Sequence, residues 1–403
     1  MSTFPVELVE NVLEHVYGEY QPLESPIALF KCSTVCRTWK SIAHKLIFSE
    51  ITTKGLREID IFKKDMHPFH RLVRRIWIKD ISGGDVEQLL GLLPNLKEIH
   101  VRYNINTWNP KHEFPSKSSG QGVPLIFRNL TSLSLSGIVF PVKFFYYCTS
   151  LLDLKINSCK FDRQNDISPA TPPQRPRSLV LRAISWFTME VLEWMLSPQG
   201  AFDLTKLKVL RLSDRTDFSK GYDLVQAIVE RCASSVQDLM IDPPTDYAFE
   251  NLELTHECIL HPSELSNLRT VTISIEQQIL PPINFVPWMI AFFTSLPEDT
   301  QLEEILLPCN FFDDWIEDKS LDPASDIRQY GLEGLDSVWS GMPTLKRVVI
   351  GLYHAEAFPI SGSAVSHLRK SFPNLSGRGM LEITGSTAIG NISVADWWWI
   401  VGS

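Results

Sequence analysis

The chain has 403 residues, with 44% hydrophobic and 21% charged side chains and a formal net charge of −9 at pH 7. This length exceeds what one ordinary hydrophobic core supports, so we expect several domains or a core extended by repetition. The composition is typical of a globular protein, the acidic balance argues against a nucleic-acid-binding protein, and no apolar run reaches the roughly 18 residues that span a membrane.

The amino-terminal residues 1–7 lack the basic start and apolar stretch of a secretory signal peptide. Seven cysteines are scattered along the chain, mostly in apolar surroundings: Cys32, Cys36, Cys148, Cys159, Cys232, Cys258 and Cys309. An odd number of dispersed cysteines predicts buried free thiols in a reducing compartment. We therefore expect a cytoplasmic or nuclear protein.

Three short apolar helices are predicted at the amino-terminal end. The first begins near Pro5, which suits a first helical turn, and places apolar side chains one turn apart up to Val16. A loop rich in glycine, proline and acidic residues follows at 18–26, and two further helices are predicted over 27–36 and 39–48. Such a small head cannot cover all of its apolar surface, so either the following repeats or a second protein covers the rest.

The order of motifs in this head resembles an F-box, particularly the form found in the large F-box families of mushroom-type fungi. The resemblance depends on the Phe4-Pro5 start, the centre at 35–39 (Val-Cys-Arg-Thr-Trp) and the end at 46–48 (Leu-Ile-Phe), and it covers about one eighth of the chain. Phe4 stands where the family usually has leucine, and the first loop is longer than usual. The resemblance implies a three-helix domain over residues 1–51 that docks on a Skp-type adaptor of a cullin-RING ubiquitin ligase.

Carried over by position, the resemblance also implies a set of adaptor-binding residues. These are Phe4, Pro5, Leu8, Val9, Val12, Leu29, Val35, Cys36 and Trp39. Val12, Cys36 and Trp39 have packing in the head's own core as an equal alternative. Trp39 would be the anchor of the contact, because a large aromatic side chain buries much area at little entropic cost.

After residue 51 a strand-like pattern of three apolar positions, apolar-x-x-apolar-x-apolar, recurs along the chain. Its ten copies begin at Val73, Leu96, Leu130, Leu151, Pro176, Leu207, Val236, Leu268, Leu302 and Leu345, the Pro176 copy keeping its apolar residues only at Leu179 and Leu181. A degenerate eleventh copy lies at 380–383, and helix-like segments separate the copies.

One strand and one helix in each repeat of roughly 30 residues are typical of leucine-rich repeats. We therefore predict an α/β fold: a small three-helix head followed by an irregular leucine-rich-repeat solenoid, or horseshoe, of about ten strand–helix units over residues 52–384. The competing fold is a doubly wound α/β domain, which the lack of a glycine-rich phosphate loop disfavours.

Strand alternation sends the three apolar residues of each copy inward and the intervening residues outward to the concave face. We predict that a protein target binds this face or the inserted loops at 103–123, 161–177, 243–262 and 311–325. Loops of this length are either partner contacts or disordered, and both alternatives stay open here. The candidate target-binding residues are Arg75, Trp77, Glu98, His100, Asp153, Lys155, Arg211, Asp238, Met240, Glu304 and Arg347. Most of them are expected to be solvated, with a minority in contact with the target.

Residues 385–403 form a predicted tail or cap that contains three adjacent tryptophans, Trp397, Trp398 and Trp399. Because three such side chains should not all face water, the tail either packs on the last repeat or binds a partner. Both alternatives stay open at this stage.

No sequence motif for catalysis or for cofactor binding is found. His67 and His70 share a turn without a third metal ligand nearby, and the acidic run at 313–318 lacks the residue order of a calcium loop. We therefore predict no enzyme activity, no cofactor, no metal, and neither a nucleic-acid nor a membrane partner.

The predicted function is that of a substrate-recognition subunit of an SCF-type ubiquitin ligase, with an unknown protein as its target. A leucine-rich-repeat scaffold whose helical head is only a cap is the alternative. A hydrolase of the α/β type is a more distant possibility, since catalytic triads need not be local in sequence.

Overall fold

The computed structural model describes residues 5–19, 25–53, 69–79, 89–102, 127–141, 145, 147–157, 159–162, 179–180, 183–185, 189–197, 202–212, 218–241, 260, 262–277, 286–311, 332–354 and 362–385. The chain forms two compact units, residues 1–179 and residues 180–403. Outside the described residues lie the predicted loop at 103–123, most of the predicted loops at 161–177, 243–262 and 311–325, the Trp397–Trp399 tail, Phe4, His67, Cys258 and, from the fifth strand motif, Pro176 and Leu181.

The amino-terminal head contains helices α1 (Val6–Glu19), α2 (Ser25–Cys32) and α3 (Arg37–Ile47). Their shared core consists of Val9, Leu13, Leu29, Ile42 and Ala43, all buried, with Cys32, Trp39, Leu46 and Ile47 packed against it. These side chains recur at three- and four-residue spacing, so each helix turns one apolar stripe toward the other two. We call residues 5–48 the head from here on.

Helix α2 ends four residues earlier than the sequence pattern predicts, and α3 begins two residues earlier. The hydroxyl groups of Ser33 and Thr34 donate hydrogen bonds to the carbonyl oxygens of Phe30 and Lys31, each at 2.7 Å. These bonds satisfy carbonyl groups that the end of a helix leaves free, so the chain turns after Cys32 rather than continuing to Cys36.

The end of the head is joined directly to the repeats of the first unit. Strand β1 (Glu50–Thr53) follows α3 almost at once and pairs in parallel with β2 (Arg75–Lys79). The ring of Phe48 stacks on Phe69, with centroids 4.0 Å apart, and His44 makes edge contacts with Phe48 and Phe69 at 5.6 and 5.5 Å. The first repeat strand therefore begins inside the range predicted for the head.

The first unit continues the parallel sheet through β3 (Glu98–Arg102), β4 (Ser132–Ser136) and β6 (Asp153–Asn157). A second small sheet pairs β5 (Val139–Pro141) with β7 (Lys160–Asp162). Within the described part of this unit, β1, β2, β3, β4 and β6 pair in chain order. A doubly wound domain reverses its strand order at a switch point, which this sheet does not do.

The second unit has the same organisation. After the two-residue strand β8 (Leu179–Val180), its main parallel sheet runs through β9 (Ala183–Ser185), β11 (Val209–Leu212), β12 (Asp238–Ile241), β13 (Thr270–Ile273), β15 (Glu304–Phe311), β16 (Arg347–His354) and β17 (Leu381–Gly385). The short strand β10 spans Phe202–Asp203, and β14 (Ile275–Gln277) pairs with the second half of β15.

Helices follow several of these strands, as predicted. They are α4 (Met189–Leu196), α5 (Phe218–Cys232), α6 (Val286–Thr294), α7 (Leu332–Ser340), α8 (Gly362–Ser371) and α9 (Pro373–Gly377). In the packing of α6 against α7, a Cβ atom added to Gly334 would lie 2.8 Å from Cδ1 of Ile290. A side chain at position 334 would therefore require the terminal methyl group of Ile290 to move.

Nine of the predicted strand motifs bury all three of their apolar residues, from Val73, Ile76 and Ile78 through to Leu345, Val348 and Ile350. The degenerate eleventh copy is strand β17. These observations confirm an α/β fold with parallel strands and helices. The horseshoe shape and the number of about ten units stay predictions.

A recurrent hydrogen-bond pattern sets the register between neighbouring repeats. One carbonyl oxygen before a strand accepts hydrogen bonds from two successive N–H groups of the next repeat. In the first unit the oxygen of Ser49 accepts from Arg74 and Arg75 at 2.8 and 2.9 Å. The same arrangement recurs at the oxygens of Arg74, Lys97, Thr131, Lys208, Gln237, Arg269 and Glu303. Because the pattern is made at the start of each strand, insertions elsewhere in a repeat leave the pairing intact.

The cysteine prediction is confirmed for four residues and corrected for one. Cys148, Cys159, Cys232 and Cys309 are free and buried, whereas Cys36 is free and exposed because it lies in the turn between α2 and α3.

None of the described helices is both long and apolar enough to cross a bilayer. In the same part of the chain no group of three or more His, Cys, Asp or Glu side chains could hold a metal ion.

Candidate partner-binding surfaces

Large apolar side chains are exposed mainly on the head. Among the described residues seven large hydrophobic side chains are exposed, and six of them lie in α1, α2 or the following turn. We call these six the exposed apolar set: Val6, Leu8, Val12, Ile27, Phe30 and Val35. The seventh is Leu152, in the first unit's repeats. The head is therefore incompletely covered by the rest of the chain.

Helix α2 is apolar on both of its faces. Leu29 is fully buried in the head core, whereas Ile27 is 59% exposed and Phe30 is 48% exposed. Ile27 and Phe30 are three residues apart, so they lie side by side on the face that points away from Leu29. A helix that is apolar all round is normally covered on both sides, and here one side is open.

The structure separates the residues that the resemblance nominated for adaptor binding. Five of them are exposed: Pro5, Leu8, Val12, Val35 and Cys36. Val9 and Leu29 lie in the head core, which makes them unavailable to a partner, and Trp39 is half-buried against that core.

The sequence analysis did not name Val6, Ile27 and Phe30 as candidate binding residues, although all three are exposed apolar side chains. The signal that would have found two of them is the short segment 25–32, in which apolar residues fill more than one helix face. A helix of that composition needs cover on two sides, and the head's small core supplies only one.

The outward residues of β1 to β3 form a network of alternating charge. The guanidinium group of Arg75 donates hydrogen bonds to Glu98 through Nε and to Glu50 through Nη1, the latter at 3.1 Å. The indole N–H of Trp77 donates to the other carboxylate oxygen of Glu50 at 2.6 Å. Three neighbouring strands are thus tied together across their polar face.

The pKa of Glu98 falls to about 2, because the carboxylate faces the imidazole of His100 and accepts a hydrogen bond from Arg75, and these effects outweigh its partial burial. His100 Nε2 lies 4.0 Å from the carboxylate, too far for a direct hydrogen bond, so Arg75 provides the shorter contact. The same pairing raises the pKa of Arg75. Glu98 is therefore ionised throughout the physiological pH range.

Trp77 and His100 form a stacked pair on the same face, with ring centroids 3.8 Å apart and ring planes 8° from parallel. The stack covers His100, which is only 6% exposed, so this predicted target contact is not accessible. Trp77 is half-buried and forms the accessible part of the pair.

The corresponding face of the second unit also carries charge pairs between neighbouring strands. Arg211 pairs with Asp238 at 2.7 Å, and Arg347 pairs with Glu304 and Glu382, both at 2.8 Å. Met240, predicted to face outward, is buried at 2% exposure. Its strand β12 is buried on both faces from Leu239 to Ile241, as in strands that are covered on two sides. Asp153 and Lys155, in the first unit, are half-buried.

Residues 23–50 match the F-box domain, a segment that contains α2, α3 and the first residue of β1. The head contains an F-box domain. F-box domains typically bind Skp-type adaptors, so this match suggests a role in substrate recognition by SCF-type ligases.

Among solved structures, a leucine-rich-repeat protein from Leptospira interrogans matches 80% of this chain and 92% of its own length, at 13% identity and a TM-score of 0.24. Because this TM-score is low, the repeat fold rests on the buried strand motifs of this chain. No curated protein sequence matches the chain.

Proposed function

We propose that this protein is the substrate-recognition subunit of an SCF-type cullin-RING ubiquitin ligase. The head binds a Skp-type adaptor, and the polar face of the repeat strands binds a protein target. The proposal includes an intracellular location, in the cytoplasm or nucleus, because free cysteines are typical of proteins in a reducing compartment. The subunit itself carries out no chemistry.

The observation that carries the proposal is the second apolar face of α2 within a segment that matches the F-box domain. Burying the exposed parts of Ile27 and Phe30 in a complex stabilises that complex by about 1 kcal/mol for each side chain. Leu8 and Val12, four residues apart on α1, extend the apolar area available to the adaptor.

The subunit would act by holding its target near a ubiquitin-charged enzyme elsewhere in the ligase, which raises the effective concentration of the reacting groups. Such a role needs a fixed geometry between the adaptor contact and the target contact. The stacking of Phe48 on Phe69 and the entry of β1 into the sheet supply a short, packed connection.

The alternative is a repeat scaffold whose head is only a cap. The packing of His44 and Phe48 on Phe69 is what a cap would show. A cap alone gives no reason for the exposure of Ile27, Phe30 and Val35, so we favour the adaptor-binding role.

The experiment is a calorimetric titration of the full chain with a purified Skp-type adaptor. We expect Leu8→Ala combined with Ile27→Ala to weaken binding by at least tenfold, because both side chains are exposed and play no part in the head core. Leu152→Ala, which removes another exposed leucine from the repeats, is the control and should bind like the unaltered chain. If chain and adaptor stay separate at micromolar concentrations, the proposal fails.

A second readout uses the exposed thiol of Cys36, which neighbours Val35. Alkylation of this thiol should be fast in the free chain and strongly slowed by saturating adaptor, as measured by mass spectrometry of the modified peptide. Burial raises the pKa of Cys232 and of Cys309 to about 12. These two thiols should therefore react only after unfolding, with or without adaptor.

A further inference from the structure

Two cationic side chains lie side by side at the carboxyl end of the polar face of the first unit. Lys79 ends β2 and Arg102 ends β3, and the two residues are paired in the register of the parallel strands. Neighbouring strands are about 4.8 Å apart, so the two positions are close. Arg102 is exposed and Lys79 is half-buried.

Lys79 and Arg102 differ from three arginine residues of the strand faces in having no carboxylate partner. Arg75, Arg211 and Arg347 each pair with at least one carboxylate. Within the described part of the chain, neither the ammonium group of Lys79 nor the guanidinium group of Arg102 makes a hydrogen bond or an ion pair. Like charges on directly opposed residues of neighbouring strands repel each other. Their juxtaposition is therefore unfavourable in the free protein and becomes favourable when an anion binds between them.

The surroundings of the pair suit a peptide. Trp77 lies two residues before Lys79 on the same face, and its ring is held in place by the stack on His100 and the hydrogen bond to Glu50. On β4 the positions paired with His100 and Arg102 are the small residues Ser134, which is half-buried, and Ser136, which is buried. A fixed aromatic ring beside small side chains leaves room for an extended segment that crosses the strands.

We propose that Lys79 and Arg102, together with Trp77, form an anion-binding strip that takes an extended anionic segment of the target protein. The anion is a carboxylate or a phosphate group on that segment. The strip rests on the proposed function only for the existence of a protein target. The whole chain carries a net charge of −9, so a local cationic site would decide where an anionic segment binds.

The test is a fluorescence anisotropy titration of the full chain with three labelled decapeptides. One alternates glutamate with alanine, the second has phosphoserine in place of glutamate, and the third has glutamine. We expect the glutamate or the phosphoserine peptide to bind at 50 mM salt, with at least tenfold weaker binding at 300 mM salt and for the glutamine peptide. Preference between the first two peptides identifies the source of the anion.

Charge reversal locates the contact. Lys79→Glu combined with Arg102→Glu should weaken peptide binding at least tenfold, and the milder Lys79→Gln with Arg102→Gln should have a smaller effect in the same direction. Lys208→Glu with Arg231→Glu changes the net charge equally at two exposed positions of the second unit, and it should bind like the unaltered chain. Equal binding by all variants, binding of the glutamine peptide as tight as the others, or no binding of any peptide would overturn the proposal.

Adaptor binding distinguishes this failure from failure of the proposed function. The Lys79 and Arg102 variants leave the exposed apolar set unchanged, so each should bind the adaptor with the affinity of the unaltered chain. If these variants bind both the adaptor and the peptides as tightly as the unaltered chain does, the anion-binding strip is rejected and the ligase role is not. Absence of adaptor binding by the unaltered chain rejects the ligase role instead.

Discussion

At the scale of single residues, Glu98 offers a prediction about pH. Its pKa falls from the ordinary value of 4.5 to about 2 in the folded chain. The folded state therefore favours the ionised carboxylate, which stabilises the fold fully above about pH 4.5, and this contribution is lost as the pH falls toward 2. We expect Glu98→Gln to lower the free energy of unfolding by about 1 kcal/mol at pH 7, a value reduced for solvent screening of this partly exposed group.

The measurement is urea unfolding of the unaltered chain and of Glu98→Gln at several pH values. The difference between the two proteins should shrink as the pH falls below 4.5 and disappear only below pH 2, once the pH has passed through the folded-state pKa. Glu303→Gln is the control, since Glu303 pairs with Lys346 at 3.0 Å on an open surface and should contribute little. A difference for Glu98→Gln that stays constant with pH would contradict the assigned electrostatic origin.

At the scale of secondary-structure elements, Asp336 joins two helices of the second unit. It lies in α7 and is 1% exposed, and its two carboxylate oxygens accept the backbone N–H groups of Asn374 and Leu375, each at 3.0 Å. These groups belong to the first turn of α9, where N–H groups have no partner within the helix. One side chain from α7 thus caps α9.

Asp336→Ala should leave the buried N–H group of Leu375 and the partly buried N–H group of Asn374 without their acceptor, at a cost of about 3 kcal/mol. We expect hydrogen exchange in α9 to become roughly a hundredfold faster, as measured by mass spectrometry. Asp299→Ala, at an exposed position before β15, is the control and should leave this exchange unchanged. Equal exchange in both variants would show that Asp336 does not hold α9.

The repeating elements could be predicted from the sequence because their signal is local. Each strand motif places three apolar residues within six positions, and these residues are buried wherever the structure describes all three. The Asp336 cap could not be predicted, because its partners are 38 and 39 residues away. The position at which α2 ends was predicted wrongly. The hydroxyl groups of Ser33 and Thr34 replace backbone N–H groups as donors to the helix carbonyls only when their side chains take a particular geometry, which the sequence does not show.

The candidate surfaces were only partly predictable for a similar reason. Alternation correctly separates inward from outward strand positions, but it does not show which outward residues are covered by other parts of the chain, as Met240 is. The resemblance nominated Val9 and Leu29 by position, and only the packing of three helices shows that these two fill the head core. Charge compensation between strands, as at Arg75, depends on the register of the sheet.

At the scale of the whole molecule, the proposed role needs the target-binding face to keep one orientation relative to the adaptor. The head and the first strands of the sheet belong to the same compact unit. Their connection runs from α3 through Phe48 and Ser49 into β1, with Phe69 packed against Phe48 and His44. Stacked and edge-on aromatic pairs contribute about 1 kcal/mol each beyond the area they bury.

We expect Phe69→Ala to loosen the head relative to the sheet while leaving adaptor affinity unchanged, because Phe69 is not part of the exposed apolar set. The measurement is the distance distribution between spin labels at the exposed Cys36 and at Arg102→Cys, which should be narrow with Phe69 and broader without it. Phe202→Ala, which removes an aromatic contact with Trp194 in the second unit, is the control and should keep the distribution narrow. A broad distribution in the chain that retains Phe69 would mean that the aromatic contact does not fix the head, and the ligase would then need another source of orientation.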